Sequence, residues 1–261
     1  MMGTSHAISG AAAWIAITGA VPILSSGAAP LDPVGVLAGA VVCAGAALLP
    51  DADHHRATVA QAVPVLGRVA TGLIGTLSGG HRHGAHSPIG VAVATLLAWL
   101  LSLVIVPVGG IGDIAVGAAA GTAALTCFAV KARDLVRTWP AAWLAGGALA
   151  LVIVVVVPEQ LAWFPGAVAV GYVAHLAGDV LTTGGLPGLW WPWVPRPPAI
   201  LADLPVLGRI WQVNGYVALP ILGDTGSWRE KAFAGLLALY VTIAAGYEVL
   251  RAMGIDPLAL V

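Results

Sequence analysis

Seven stretches of this 261-residue chain run for about the depth of a bilayer with almost no charged side chain: residues 7–24, 34–49, 88–106, 112–130, 139–157, 161–182 and 232–250. Crossing the hydrocarbon core takes about 20 mostly apolar helical residues, with a range of roughly 17–25. Each run is bordered by Pro, Gly or charge, and Pro50-Asp51 ends the short second one. The expectation is an all-α integral membrane protein: one polytopic domain over 1–261, with a bundle of about seven transmembrane helices. Composition agrees. Only 9% of the residues are charged, against about 25% in a soluble domain, and the mean hydropathy is +0.94. That excludes an ordinary soluble enzyme and a disordered chain. With Lys+Arg 11 against Asp+Glu 12, there is no basic field for a nucleic acid.

Two stretches do not fit as spans. Residues 57–78 are apolar but broken by Pro64 and Arg68, which suits an interfacial or re-entrant segment. Residues 183–228 hold Trp190-Trp191-Pro192-Trp193 and many prolines, and read as a folded interfacial loop with its tryptophans at headgroup depth, placed where it would cover a site. The start, Met1 to His6, carries no Lys or Arg, so the first run is expected to be a retained helix rather than a signal peptide. Gly35-x-x-x-Gly39 and Gly117-x-x-x-Gly121 are read as helix-packing positions. Ser227-x-x-Glu230 is read as a capping box before the last span. Cys43 and Cys127 fall inside apolar runs and are expected to be small buried core residues.

Threading seven spans from a cytoplasmic N-terminus puts Arg56, Arg68, Arg82, Lys131, Arg133, Arg137, Arg196, Arg209, Arg229 and Lys231 inside, and only Arg251 outside. Cytoplasmic loops carry the excess of Lys and Arg, so the expected orientation is N-in, C-out.

That threading gathers the chemistry on one face. His6 opens the first span, and Asp51-Ala52-Asp53-His54 closes the second. His81-Arg82-His83-Gly84-Ala85-His86 leads into the third, and His175 and Asp179 sit in the last turns of the sixth. On a helix, residues four apart share a face with Cβ atoms about 5–6 Å apart, so His175 and Asp179 can bind one ion together. Imidazole and carboxylate are the usual mixed ligands for zinc, manganese or iron, and ionisable groups inside a span are costly and usually functional. His6, Asp51, Asp53, His86, His175 and Asp179 are the expected metal ligands, with His81 next. Arg82 is a fork for a phosphoryl oxygen. His81 or His83 would protonate a leaving group, and Asp53 divides between ligand and base roles. Ser87, before Pro88, is expected to cap the following helix.

These residues resemble the YdjM-like family of LexA-regulated, membrane-bound, metal-dependent hydrolases. The resemblance is carried by Thr4-Ser5-His6, Leu49-Pro50-Asp51-Ala52-Asp53-His54, His81-Arg82-x-x-x-His86-Ser87, Gly171-Tyr172-x-x-His175-x-x-x-Asp179-x-x-Thr182, the stretch from Gly185 to Trp191-Pro192, and Thr225-Gly226-Ser227 before Glu230. It departs where the family's middle motif has Gly and Thr and this chain has His83 and Ala85. The resemblance implies metal-dependent hydrolysis at the membrane; the expected location is a bacterial-type inner membrane, and the threaded topology puts the site on its cytoplasmic face. The expected cofactor is one or two divalent ions, zinc first and manganese or magnesium as alternatives. Headgroup depth suggests a phosphoester in a lipid or lipid-linked substrate. A divalent-metal transporter and a ceramidase-like amide hydrolase are the competing readings. The transporter reading is disfavoured because the polar clusters gather at one face and no internal repeat is visible.

Overall fold

The structure, a computed structural model, describes residues 1–55, 57–110, 112–187 and 190–255. Arg56 of the charge count and residues 188 and 189 of the interfacial stretch lie outside these. The chain is mostly helical, in order α1 (Gly3–Thr18), α2 (Pro33–Ala46), α3 (Thr58–Ala62), α4 (Pro64–Leu77), α5 (Pro88–Ser102), α6 (Val116–Ala132), α7 (Trp139–Val156), α8 (Phe164–Val180), α9 (Ala199–Ala202), α10 (Leu207–Ile210) and α11 (Trp228–Ala252).

The helices begin where the sequence supplies a cap. Asp32, Ser87, Thr138 and Ser227 each accept from a backbone N–H in the first turn of α2, α5, α7 and α11, and Pro stands at N1 of α2 and α5 and at N2 of α7. Ser87 therefore caps, as expected. The capping box at Ser227 is only half formed. Ser227 Oγ accepts from Glu230 N, but the Glu230 carboxylate reaches Gly226 N at 2.8 Å and Met2 N at 2.7 Å. It thereby pins the start of α1 to the start of α11.

Four helical stretches are long and apolar enough to cross a membrane: Pro33–Asp53, Trp139–Val156, Leu161–Val180 and Trp228–Ala252. Helices α1, α5 and α6, at 16, 15 and 17 residues, are shorter than the runs predicted them to be. Pro22 accounts for the first: it cannot continue a helix and disfavours helical geometry before it, so α1 stops at Thr18. The all-α expectation also needs correcting between α5 and α6. Ile105–Val108 pairs antiparallel with Gly112–Ala115, Val106 opposite Ile114. β-branched Ile105, Val106 and Val108 suit a strand, Pro107 resists a helix, and Gly110 at φ +86° makes the turn. Pro64 breaks its stretch as expected, since α3 ends at Ala62 and Pro64 starts a new helix at N1, whereas Arg68 lies inside α4 without interrupting it.

Helices α2 and α8 form the centre, with α1, α5, α6 and α11 around them and α7 outside α6. The central stretches Pro33–Asp53 and Leu161–Val180 are mostly buried, whereas Trp139–Val156 and Trp228–Ala252 are mostly exposed. The outer helices turn Leu96, Leu100, Leu144, Leu151, Leu236 and Leu239 outward. Such a surface is stable against hydrocarbon, whereas in water a large exposed apolar patch would drive association.

Close approach at the centre depends on small residues. A Cβ on Gly39 or Gly121 would enter the ring of Trp14 or Phe164, and one on Gly117 would strike the Leu101 carbonyl. Cys43 and Cys127 are buried and free.

Candidate metal centre

Helices α1 and α8 both press on the last turns of α2. A Cβ on Gly10 would lie 2.6 Å from the Cys43 carbonyl oxygen, and one on Gly171 would lie 2.9 Å from Ala47 N. This fit sets His6 and His175 side by side, their rings stacked with centroids 3.6 Å apart. Beyond α2, Pro50–Asp53 forms a 3₁₀ turn that presents Asp51 and Asp53. A second 3₁₀ turn, Gly84–His86, brings His86 in from the other side. Tyr172 OH donates to the Ala85 carbonyl at 2.6 Å and Ser87 Oγ to the Gly84 carbonyl at 2.6 Å, which holds that turn against α8. His6, His86, His175 and Asp179 are fully or almost fully buried.

Four donor atoms converge. His86 Nε2 and His175 Nε2 are 3.3 Å apart. His86 Nε2 is 3.5 Å from Asp51 Oδ1 and 3.7 Å from Asp179 Oδ2. His175 Nε2 is 3.8 Å and 3.6 Å from the same two oxygens. Zinc–nitrogen and zinc–oxygen bonds of about 2.0–2.2 Å in a tetrahedron put neighbouring ligand atoms about 3.3–3.6 Å apart. Asp51, His86 and His175 lie close enough to hold one ion, as do His6, His175 and Asp179, and as do Asp53, His81 and His86.

Each imidazole is held from behind. His175 Nδ1 donates to the Ala47 carbonyl at 2.7 Å, so in the neutral ring its Nε2 presents a lone pair to the cluster. His86 Nδ1 meets Asp53 Oδ2 at 3.1 Å. Asp53 is otherwise occupied, with Oδ1 2.7 Å from His81 Nδ1 and Oδ2 accepting from Arg82 N at 2.9 Å. Burial pulls the His86 imidazole down, but hydrogen bonds and charge from Asp51 and Asp53 outweigh it and raise the pKa to about 9. His6 Nε2 stands 3.2 Å from Asp179 Oδ1, yet neither ring nitrogen makes a hydrogen bond among the described residues. His6, His175 and Asp179 together form a group that could hold an ion. The Met1 nitrogen also contacts Asp179 Oδ1.

The other expected site residues divide. His81, partly exposed, lines a cavity of about 310 Å³ together with Asp51, His54 and Thr58. Arg82, at φ +59°, passes Gly184 and brings Nη2 within 3.5 Å of Asp179 Oδ1. His83 turns away: its Nδ1 donates to the His81 carbonyl at 2.9 Å, and its ring meets Tyr216 edge-on. His54 stacks on His55 and lies near His81. The 183–228 stretch packs over this end of the bundle. Tyr216 OH donates to the Arg82 carbonyl at 2.8 Å, and a Cβ on Gly84 would lie 2.9 Å from Trp191.

Sequence reasoning missed the Ala47 carbonyl, Tyr172 and Tyr216 as supports. The position of Tyr172, three residues before His175 on one helix face, was the available signal. It also missed Glu248, fully buried, which accepts from Ala20 N at 2.7 Å and from Arg251 Nη1 at 2.6 Å. A carboxylate inside an apolar helix was its signal.

Fold and site together define a multi-pass membrane protein whose buried His/Asp cluster can hold a metal ion. Residues 1–252 match the sequence profile described as YdjM inner membrane protein. The chain belongs to the YdjM family, and an inner-membrane location follows from that family together with its apolar helices. No curated protein and no solved structure matched the chain.

Proposed function

We propose that this protein is a metal-dependent hydrolase acting at the cytoplasmic membrane interface, on a phosphoester of a lipid or lipid-linked substrate. The observation that carries the reading is the convergence of His86, His175, Asp51 and Asp179, with five interatomic distances between 3.3 and 3.8 Å. These four residues would hold one divalent ion, zinc first, and His6 with Asp179 Oδ1 would begin a second position. A divalent ion in such a site supplies a water whose pKa is lowered to about 7. Asp53 orients His86 and raises its basicity. Arg82 offers a guanidinium to a phosphoryl oxygen, and His81, on the polar cavity, is placed to protonate a departing oxygen. His83 points elsewhere and drops out of the catalytic set.

The same proposal takes α1, α2, α5, α6, α7, α8 and α11 as seven spans, N-in and C-out, with α4 at the interface. The Lys/Arg asymmetry supports the orientation. The first test is elemental analysis of the purified protein in detergent, comparing wild type with His175→Ala and Asp51→Ala. One or two ions per chain in wild type, lost in both variants, supports the site and selects the metal for a phospholipid hydrolysis screen. No bound metal even after reloading overturns it.

A further inference from the structure

A second cavity, of about 510 Å³, backs onto the loops that carry the donors. The walls are shared. In the turn after α2, Leu48 and Asp51 face the polar cavity, while Leu49 and Ala52 face the apolar one. Gly84 and Ala85, next to His86, also line the apolar cavity, beneath Trp191. From there the groove follows α5 from Ile89 to Leu101, a rise of about 18 Å at ~1.5 Å per residue. That is close to the depth of one leaflet, half of a hydrocarbon core about 30 Å thick. Phe164, lying against Gly121, belongs to the wall remote from the donors.

The lining is apolar almost throughout, and the Tyr172 hydroxyl within it already donates to the Ala85 carbonyl. The groove opens between Ile89, Val93 and Leu97, each about half exposed and continuous with the outward apolar face of α5. That face borders the bilayer, so the entrance is lateral.

We propose that this groove takes one acyl chain of a bilayer lipid, entering sideways past Val93 and Leu97, with the lipid's polar end at Trp191 and the His81–Gly84 loop. The substrate class of the metal centre is then an acyl-chain lipid. That assignment rests on the hydrolase reading, whereas binding of the chain does not. Tryptophan at the polar end fits, because indole rings settle at headgroup depth.

The test uses the full chain in nanodiscs with phosphatidylglycerol carrying a diazirine in one acyl chain, photolysed with a chelator present so that no turnover is needed. Label is expected on the α5 and α8 residues of the groove. Ala94→Trp, which fills it, and Val93→Trp, which blocks its mouth without disturbing the core, should both lose that label. Leu96→Trp, on the outward face of α5, should keep it. Label spread evenly over outward faces and indifferent to the two groove variants would mean annular lipid only and overturn the proposal. So would chain-to-chain cross-links at Val93. Groove labelling without hydrolysis of any phospholipid by the metal-loaded protein sinks the hydrolase reading and leaves the groove. Hydrolysis with no groove labelling does the reverse.

Discussion

His86 and His175 point their Nε2 atoms at each other across 3.3 Å, and both rings have already committed Nδ1, to Asp53 and to the Ala47 carbonyl. Two lone pairs at that distance repel. The pair is stable when one nitrogen holds a proton or when a cation lies between them, and the raised pKa of His86 identifies the proton. A divalent ion bound there, as proposed, would replace that proton at the same place and add one further positive charge.

Metal uptake must then eject a proton from His86. Below a pKa of about 9, apparent affinity should rise about tenfold per pH unit and level off above it. Competition with a chelator at several pH values between 6 and 10 reads the slope, and a flat profile would remove the proton from the site. Stability of the metal-free protein runs the opposite way. The folded pKa lies above the ordinary 6.5, so this contribution is complete below that value and is lost as pH rises through about 9.

Asp53→Asn removes the acceptor that orients His86 without touching the four converging donors. Carboxylates in this position affect metal affinity by roughly 10–100-fold, and the variant should weaken binding by that amount while His175→Ala abolishes it. Equal effects in the two variants would make Asp53 a ligand.

Gly171→Val should prevent α8 from seating on α2 at Cys43–Ala47, giving poor yield and no metal, because the added carbons meet backbone atoms. Gly147→Val, where nothing lies within 4 Å, should shift stability by no more than about 0.5 kcal/mol. Thermal unfolding in detergent distinguishes them.

Orientation is checked by single cysteines in intact cells, since Cys43 and Cys127 are buried. Ser26→Cys should react with a membrane-impermeant maleimide from outside, and Arg137→Cys only after permeabilisation. The opposite pattern places the site on the outer face.

Glu230→Ala leaves Met2 N and Gly226 N without their acceptor. Both donors are only partly buried, so each lost hydrogen bond costs about 0.5–1.5 kcal/mol, and the melting temperature should fall, with metal content falling in parallel because His6 loses its anchorage.

The helical segments were legible as runs of apolar residues, and the converging face was legible because charge and histidine stand out in such runs. Exact ends were not. The run Val104-Ile105-Val106-Pro107-Val108 is equally apolar in helix or strand, and Pro107, the Gly109-Gly110 turn and pairing with Gly112–Ala115 decide between them. In the site, His175 and Asp179 were legible from their spacing of four. Asp53, expected as a ligand or base, falls in a group with His81 and His86 that could itself hold an ion, and its spacing from Asp51 does not tell that use from a hydrogen bond to an imidazole. His83 sits inside a motif-like run, yet a backbone carbonyl two residues away captures its ring. Local hydrogen bonds of that kind carry no sequence period.

The clasp of Glu230 on Met2 and Gly226 has a consequence in time. Helix α1 leaves the ribosome first and α11 last, so His6 waits through synthesis of every intervening helix before the residue that secures its segment exists. A nascent chain carries Asp51, His86, His175 and Asp179 into the membrane with one side of their cluster still open. On the proposed function, an ion would find its complete site only late in biogenesis, and a chain truncated before residue 230 would lack the residue that holds the start of α1.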